Sequence, residues 1–281
     1  MKVKITSDST CDLSAELLAR YDISIVPLTV SMGESEGKDG VDVTPDRIYE
    51  FVDSSGVLPK TSAPNVNDYM TEFSKWAAQG YSIVHFCIGN GFSSSYTNAC
   101  LAAEEFRNVY VVDSENLSTG QGLLVLMGAD MARDGRTAGE IREACAKAVS
   151  KVEASFVIDR LDYLYKGGRC SALAALGGNV LRLKPCIEVL NGKMTPGRKY
   201  RGQIERAMRQ YAEDRIHGRT DIDAHRVFVT HTKCSPEAVE AVKDIIRREN
   251  PEVEEILETT AGATITSHCG PNTLGVLFMR V

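Results

Sequence analysis

Through the first half of this chain, short apolar runs alternate with amphipathic helical segments, a rhythm that commits the polypeptide to α/β layering on a largely parallel sheet. Val3 to Thr6 opens as a strand, and Asp12 is expected to cap a helix through Arg20. Ile23 to Val30 reads as a second strand that Pro27 pushes toward an edge, since proline cannot donate to a ladder. Thr44-Pro45 starts one helix; Asn65 with Asp68 starts another that stops at Gly80. Tyr81 to Ile88 is a buried strand, the segment from Ser93 to Phe106 is helical, and Val109 to Val112 is the next strand. A helix containing Leu123 to Met127 follows, then a capping box at Thr137 and Glu140.

The character changes beyond residue 152. Pro185 to Leu190, the Asn191-Gly192 turn and the residues after Lys193 form a β-hairpin pattern. Strands at Arg226 to Thr232, Val253 to Thr260 and Leu274 to Val281 are separated by helices at Gln203 to His217 and Pro236 to Arg248. At 281 residues the chain exceeds the size at which one core usually divides. The expectation is therefore an N-terminal α/β domain over 1–152 and a mixed α/β domain over 153–281.

No apolar run approaches the ~20 residues of a membrane span, and Met1 to Asp8 lacks the apolar stretch of a signal peptide, so a cytoplasmic location is expected. Eight cysteines are dispersed without a C-x-x-C spacing, which announces neither a zinc knuckle nor a redox pair. The net charge of -6 is uneven: Arg160 to Arg219 carries 13 Lys and Arg against 5 Asp and Glu, a local balance of +8. One face is thus suited to an anionic partner, while an overall pI near 5.5 gives no general attraction for nucleic acid.

Four small polar patches carry the candidate chemistry. Strand Tyr81 to Ile88, the Gly89-Asn90-Gly91-Phe92 loop and the helix from Ser93 would aim backbone amides and a hydroxyl at one point, an anion-binding arrangement. Ser93 alone also reads as an N-cap. Thr61 and Ser62 precede Pro64, which holds Ala63 extended. His268 lies between Ser267 and a Cys-Gly-Pro turn; Lys166-Gly167-Gly168-Arg169 places a guanidinium beside glycines and is also a helix C-cap pattern. Hydroxyls, one imidazole and one guanidinium suit an acidic ligand, and no cofactor motif accompanies them. A serine hydrolase using Ser93 with His268 and an Asp such as Asp113 is the alternative, weakened by the missing G-x-S-x-G elbow. An ATP-dependent kinase is disfavoured by the missing Walker A and kinase-type glycine loops.

Taken in order, Ser7-Asp8-Ser9, Thr61-Ser62-x-Pro64, Phe92-Ser93-x-x-Tyr96, Val112-Asp113-Ser114, Leu164-x-Lys166-Gly167-Gly168-Arg169, Lys184-Pro185 and His268-x-Gly270-Pro271 resemble the DegV family along the whole chain. Asn65, Ser94-Ser95 and Asn272 depart from the Ser, Gly-Thr and Gly common there. The resemblance implies a two-domain fold holding one long-chain fatty acid in a buried tunnel between the domains. It also implies, for some members, service as the acyl-carrying subunit of a fatty acid kinase whose separate ATP-binding protein phosphorylates the carboxylate, feeding phospholipid synthesis. Thr61, Ser62, Ser93 and His268 are the donors expected at the carboxylate; Arg169 and Arg201 are expected to meet the partner or the phosphate.

Overall fold

The computed structural model describes residues 2–170 and 183–281. Its first sheet is wholly parallel, in the order β2-β1-β6-β7, from Val3–Asp8 (β1), Ser24–Val26 (β2), Ser82–Cys87 (β6) and Val109–Asp113 (β7). The expected strand from Ile23 to Val30 is two strands divided at Pro27. β2 takes the edge of the parallel sheet, and Thr29–Met32 (β3) joins a separate antiparallel sheet with Ser35–Lys38 (β4) and Lys60–Ser62 (β5). Pro27 forces this division because its missing N–H cannot extend the first ladder.

Helices cover both faces of the parallel sheet. Val66–Ala77 (α3) and Ser95–Ala103 (α4) pack on one side around Tyr69, Phe73 and Ile83. Thr119–Arg133 (α5) and Ala138–Ala148 (α6) cover the other, and the capping box expected at Thr137 and Glu140 is present in both directions. Ala15–Arg20 (α1) starts at Ser14, whose hydroxyl accepts from the Leu17 amide; Asp12 instead occupies a left-handed turn at φ 50°. Pro45–Ser55 (α2) follows the expected Thr44-Pro45 start.

From Val152 onward the chain builds a six-stranded mixed sheet, ordered β10-β9-β8-β13-β11-β12. Its strands are Val152–Val157 (β8), Leu183–Leu190 (β9), Lys193–Arg201 (β10), Ile222–Thr232 (β11), Glu255–Thr260 (β12) and Thr273–Arg280 (β13), all antiparallel pairs except β11 with β12. Helices Ile204–Ile216 (α8) and Pro236–Glu249 (α9) bury one face around Tyr211, Val242 and Phe278. The other face packs against α5, so one apolar core runs from Ile5 and Phe86 through Leu124 to Phe156, Phe228 and Leu277. α5 is apolar nearly all round for this reason, with Gly120 to Leu126 buried without interruption.

Two short helices had no clear signal in the sequence. Leu161–Lys166 (α7) ends at the Gly167-Gly168 pair, as the C-cap pattern implies. Ala263–Cys269 (α10) contains His268, which therefore sits on a helix rather than in the expected turn. Asn272, standing where glycine is common in the resembling family, adopts φ 57°, a left-handed conformation that asparagine tolerates. Among the described residues no helix is long and apolar enough to cross a membrane.

Candidate functional site

The small antiparallel sheet, the loop after β6 and helix α10 converge on one cavity. β5 is only three residues long, yet its register against β3 sets Thr61 opposite Val30. Pro64 then ends the strand, its carbonyl accepting from Asn98 Nδ2 at 2.8 Å and so tying this segment to α4. Asn65 and Asp68 close a reciprocal capping box that fixes where α3 departs.

The loop from Gly89 to Ser94 runs too close to other backbone for side chains at its glycines. A Cβ at Gly89 would stand 2.9 Å from the Glu115 carbonyl carbon, and one at Gly91 only 2.3 Å from the Gly192 carbonyl oxygen at the tip of the β9–β10 hairpin. Asp113 holds the neighbouring turn, accepting from the Asn90 and Glu115 amides at 3.1 and 2.9 Å. Ser93 is not the N-cap expected of it: Ser94 takes that position, α4 begins at Ser95, and the Ser93 hydroxyl accepts from the Ser95 amide at 3.2 Å while bonding its hydroxyl at 2.8 Å.

His268 projects from α10 toward β5, where its Nε2 lies 2.8 Å from Thr61 Oγ1. Its Nδ1 is buried against Gly167 and has no partner among the described residues; a Cβ at Gly167 would come within 2.4 Å of that nitrogen. Burial, with the positive charge of Arg169 adding to it, lowers the imidazole pKa from the usual 6.5 to about 4. The ring is consequently neutral near pH 7. With its proton on Nε2 it donates to Thr61 Oγ1 and leaves that hydroxyl's own hydrogen for a ligand.

The cavity has a volume of about 270 Å³. Thr61, Ser62, Ser93, Ser94, Arg169 and His268 form its polar side; Leu28, Ile88, Phe92, Leu117, Met194 and Ile265 form its apolar side. Leu117, Ile265 and Cys269 also border an adjoining void of about 30 Å³ that continues between α10 and the six-stranded sheet, past Ala154, Phe156 and Leu277. That void exposes almost only apolar surface and encloses roughly the volume of one water. A larger cleft of about 450 Å³ opens between α5, α6 and the ends of β11 and β13, but none of the predicted site residues reaches it.

Five of the six predicted site residues are thus brought together: Thr61, Ser62, Ser93, His268 and Arg169. Arg169, whose Nη1 donates to the Gly167 carbonyl at 2.8 Å, is at the cavity wall, whereas Arg201 is exposed at the end of β10 and outside the cavity. The hydrolase alternative finds no support in the bonding. Ser93 is engaged by Ser95, His268 by Thr61, and Asp113 by two backbone amides, so among the described residues no carboxylate orients the imidazole toward a serine. Sequence reasoning missed Leu28, Leu117 and Met194, whose place at the cavity depends on pairing across distant segments.

The family model of DegV proteins, described as uncharacterised, matches residues 2–281. The chain belongs to the DegV family. A Thermotoga maritima relative described as a fatty acid-binding protein is 32% identical over 284 residues, covering 98% of this chain and 96% of its own. A DegV family protein of Thermus thermophilus, whose structure is described for fatty acid binding, superposes with a TM-score of 0.89 at 27% identity, with both chains covered completely. A stearic acid-binding protein of Eubacterium ventriosum superposes at 0.82 with 30% identity, over 99% of this chain and 98% of that one.

Proposed function

We propose that this protein carries one long-chain fatty acid, its carboxylate held by Thr61, Ser62, Ser93 and His268 and its hydrocarbon lodged between α10 and the six-stranded sheet. The observation that carries this reading is the continuity of a polar cavity with an apolar void: donors at one end, aliphatic and aromatic side chains beyond. The binding described for the Thermotoga, Thermus and Eubacterium proteins supports it. Burying about 14 to 16 methylenes at ~0.8 kcal/mol each gives a gross driving force of roughly 12 kcal/mol. Ordering and association costs take back a large part of it. α10 and the sheet must part to admit the chain, because the void between them holds far less than an acyl tail.

In this reading residues 1–152 and 153–281 are two domains with the lipid between them, and the protein is a cytoplasmic carrier without turnover of its own. A separate ATP-dependent kinase subunit phosphorylates the presented carboxylate, and the acyl phosphate enters phospholipid synthesis. Arg169 at the cavity wall is suited to a developing phosphoryl group, and Arg201 on the exposed end of β10 to partner docking. The test is mass spectrometry of an organic extract of the purified protein, beside esterase and ATPase assays. Near-stoichiometric fatty acid without turnover, and acyl phosphate only after partner kinase and ATP are added, is the expected result. A lipid-free protein that also fails to take up palmitate overturns the reading.

A further inference from the structure

The start of α10 is held in an unusual way. Its N-cap residue is Gly262, which has no side chain to satisfy the first amides of the helix. Two carboxylates from remote turns do so instead. Asp12 Oδ1 accepts from the Gly262 amide at 2.8 Å, and Asp39 Oδ1 accepts from the Ala263 amide at 2.8 Å. Both aspartates are buried, with 6% and 3% exposure. Each is fixed through its second oxygen: Asp12 Oδ2 accepts from Ser118 Oγ at 2.5 Å, and Asp39 Oδ2 from Ser9 Oγ at 2.9 Å.

These links reach three walls of the cavity. Ser118 follows Leu117, Ser9 Oγ accepts from the Leu28 amide at 3.1 Å, and α10 itself supplies Thr264, Ile265 and His268. A Cβ on Gly262 would press on both carboxylates at 3.2 Å, so the glycine lets the helix start seat between them. Asp12 and Ser118 each hold positive φ, 50° and 53°, a conformation disfavoured for both and retained where they meet. Burying two carboxyl groups, whether they stay ionised or take up a proton as burial favours at Asp12, costs more than a serine or threonine cap on a helix start would. Helix capping alone is therefore a weak reason for them.

We propose that Asp12 and Asp39 are positioning residues for carboxylate recognition, setting the start of α10 and thereby the placement of His268 against Thr61. This inference rests on the fatty acid reading above. His268 lies about one and a half turns along the helix from these anchors, within one rigid element, so a shift at Gly262 is carried to the imidazole.

The experiment compares the affinities of palmitate and hexadecanol, which share a tail and differ in the head group, for the delipidated full-length protein and its variants. Palmitate preference should fall roughly tenfold or more in Asp39→Ala and Gly262→Ala, the size of one lost hydrogen bond to a charged group, while hexadecanol affinity stays within about twofold. Asp12→Asn, which keeps an acceptor for the Gly262 amide, should restore most of the preference lost in Asp12→Ala. Ser9→Ala and Ser118→Ala, which each loosen one carboxylate, supply milder versions should the aspartate variants fail to fold. The ¹⁵N signals of His268 should move in the same variants that lose preference. An unchanged preference in folded variants, or equal losses for both compounds, overturns the positioning role and leaves fatty acid binding standing. Wild-type protein that takes up neither compound overturns the fatty acid reading itself.

Discussion

Thr61 Oγ1 and His268 Nε2 meet at 2.8 Å across 207 residues of chain, and this bond joins β5 to α10 at the polar end of the cavity. Each group prepares the other: the hydroxyl fixes the ring, and a neutral ring with Nε2 protonated turns the hydroxyl's hydrogen outward. The site therefore offers hydrogen bonds more than positive charge, with Arg169 as the cation at its wall.

Removing the hydroxyls should weaken the lipid complex without unfolding the protein. A hydrogen bond to a charged acceptor contributes about 1.5 to 3 kcal/mol, so Thr61→Ala with Ser93→Ala should raise the Kd for palmitate by tenfold or more. Calorimetric titration of the delipidated double variant checks this, with circular dichroism to establish that it is folded. Unaltered affinity would remove both residues from the carboxylate site.

The depressed pKa of His268 has a definite consequence for stability. The unfolded imidazole, near 6.5, takes up a proton before the folded one, near 4, so the stabilising contribution is complete above pH 6.5 and is lost as pH falls toward 4. Asp12 has the opposite sign: burial raises its carboxyl to about 8, so its contribution is complete below its unfolded value of 3.8 and is lost as pH rises through 8. His268→Gln should flatten the loss of Tm between pH 6.5 and 4 by the equivalent of roughly 2 kcal/mol, discounted for the partly open side of the ring. Thermal melts of both proteins across that window decide it; parallel profiles would show that the ring titrates normally.

Gly91 and Gly167 make a useful pair. Gly91→Ala sets a Cβ 2.3 Å from the Gly192 carbonyl and should destabilise the fold by about 1 to 3 kcal/mol, because backbone on both sides must yield. Gly167→Ala presses on His268 Nδ1 instead, and should lower palmitate affinity beyond any loss of Tm. Urea melts read beside Kd values separate the two. Equal behaviour in both assays would detach Gly167 from the site.

Ligand itself should stabilise strongly. At one hundred times Kd, palmitate adds about 2.7 kcal/mol, which for a chain of this size corresponds to a Tm increase of roughly 5 to 10 °C. Hexadecanol should give a smaller shift. Melts of delipidated protein with and without each compound test this, and a null result with palmitate contradicts a carrier role.

Partner contact should divide between the two arginines. Arg201→Ala should weaken kinase binding and make the residual affinity less sensitive to salt, while bound lipid is retained. Arg169→Ala should reduce acyl phosphate formation more than it reduces kinase binding, because its guanidinium is at the cavity wall. Lipid lost from Arg201→Ala with kinase binding intact would reverse its assignment.

Much of the fold was legible because local rules governed it. The strands of the parallel sheet, the boxes at Asn65 and Thr137 and the Asn191-Gly192 hairpin all follow from periodicity, capping and turn chemistry. Helix α10 was not legible: Ala263-Thr264-Ile265-Thr266-Ser267 is rich in residues that favour strands or caps, and tertiary burial overrides that preference. The polar residues that line the cavity were visible as patches at loop and helix ends. Their joint placement was not, since Leu28, Leu117 and Met194 enter through pairing between remote segments that leaves no periodic trace. Asp12 looked like a local helix cap and is one in kind, but it satisfies the start of α10, 250 residues away.

The 207-residue span of the Thr61–His268 bond also sets an order of events during synthesis. The parallel sheet has all its strands by Asp113 and can assemble while the rest of the chain is still being made. No nascent chain shorter than 268 residues contains both halves of the proposed carboxylate pocket. An emerging polypeptide, however well folded in its parallel sheet, is therefore unable to clasp an acyl head group between these two side chains, and in the proposed reading lipid loading waits until residue 268 has been made and folded.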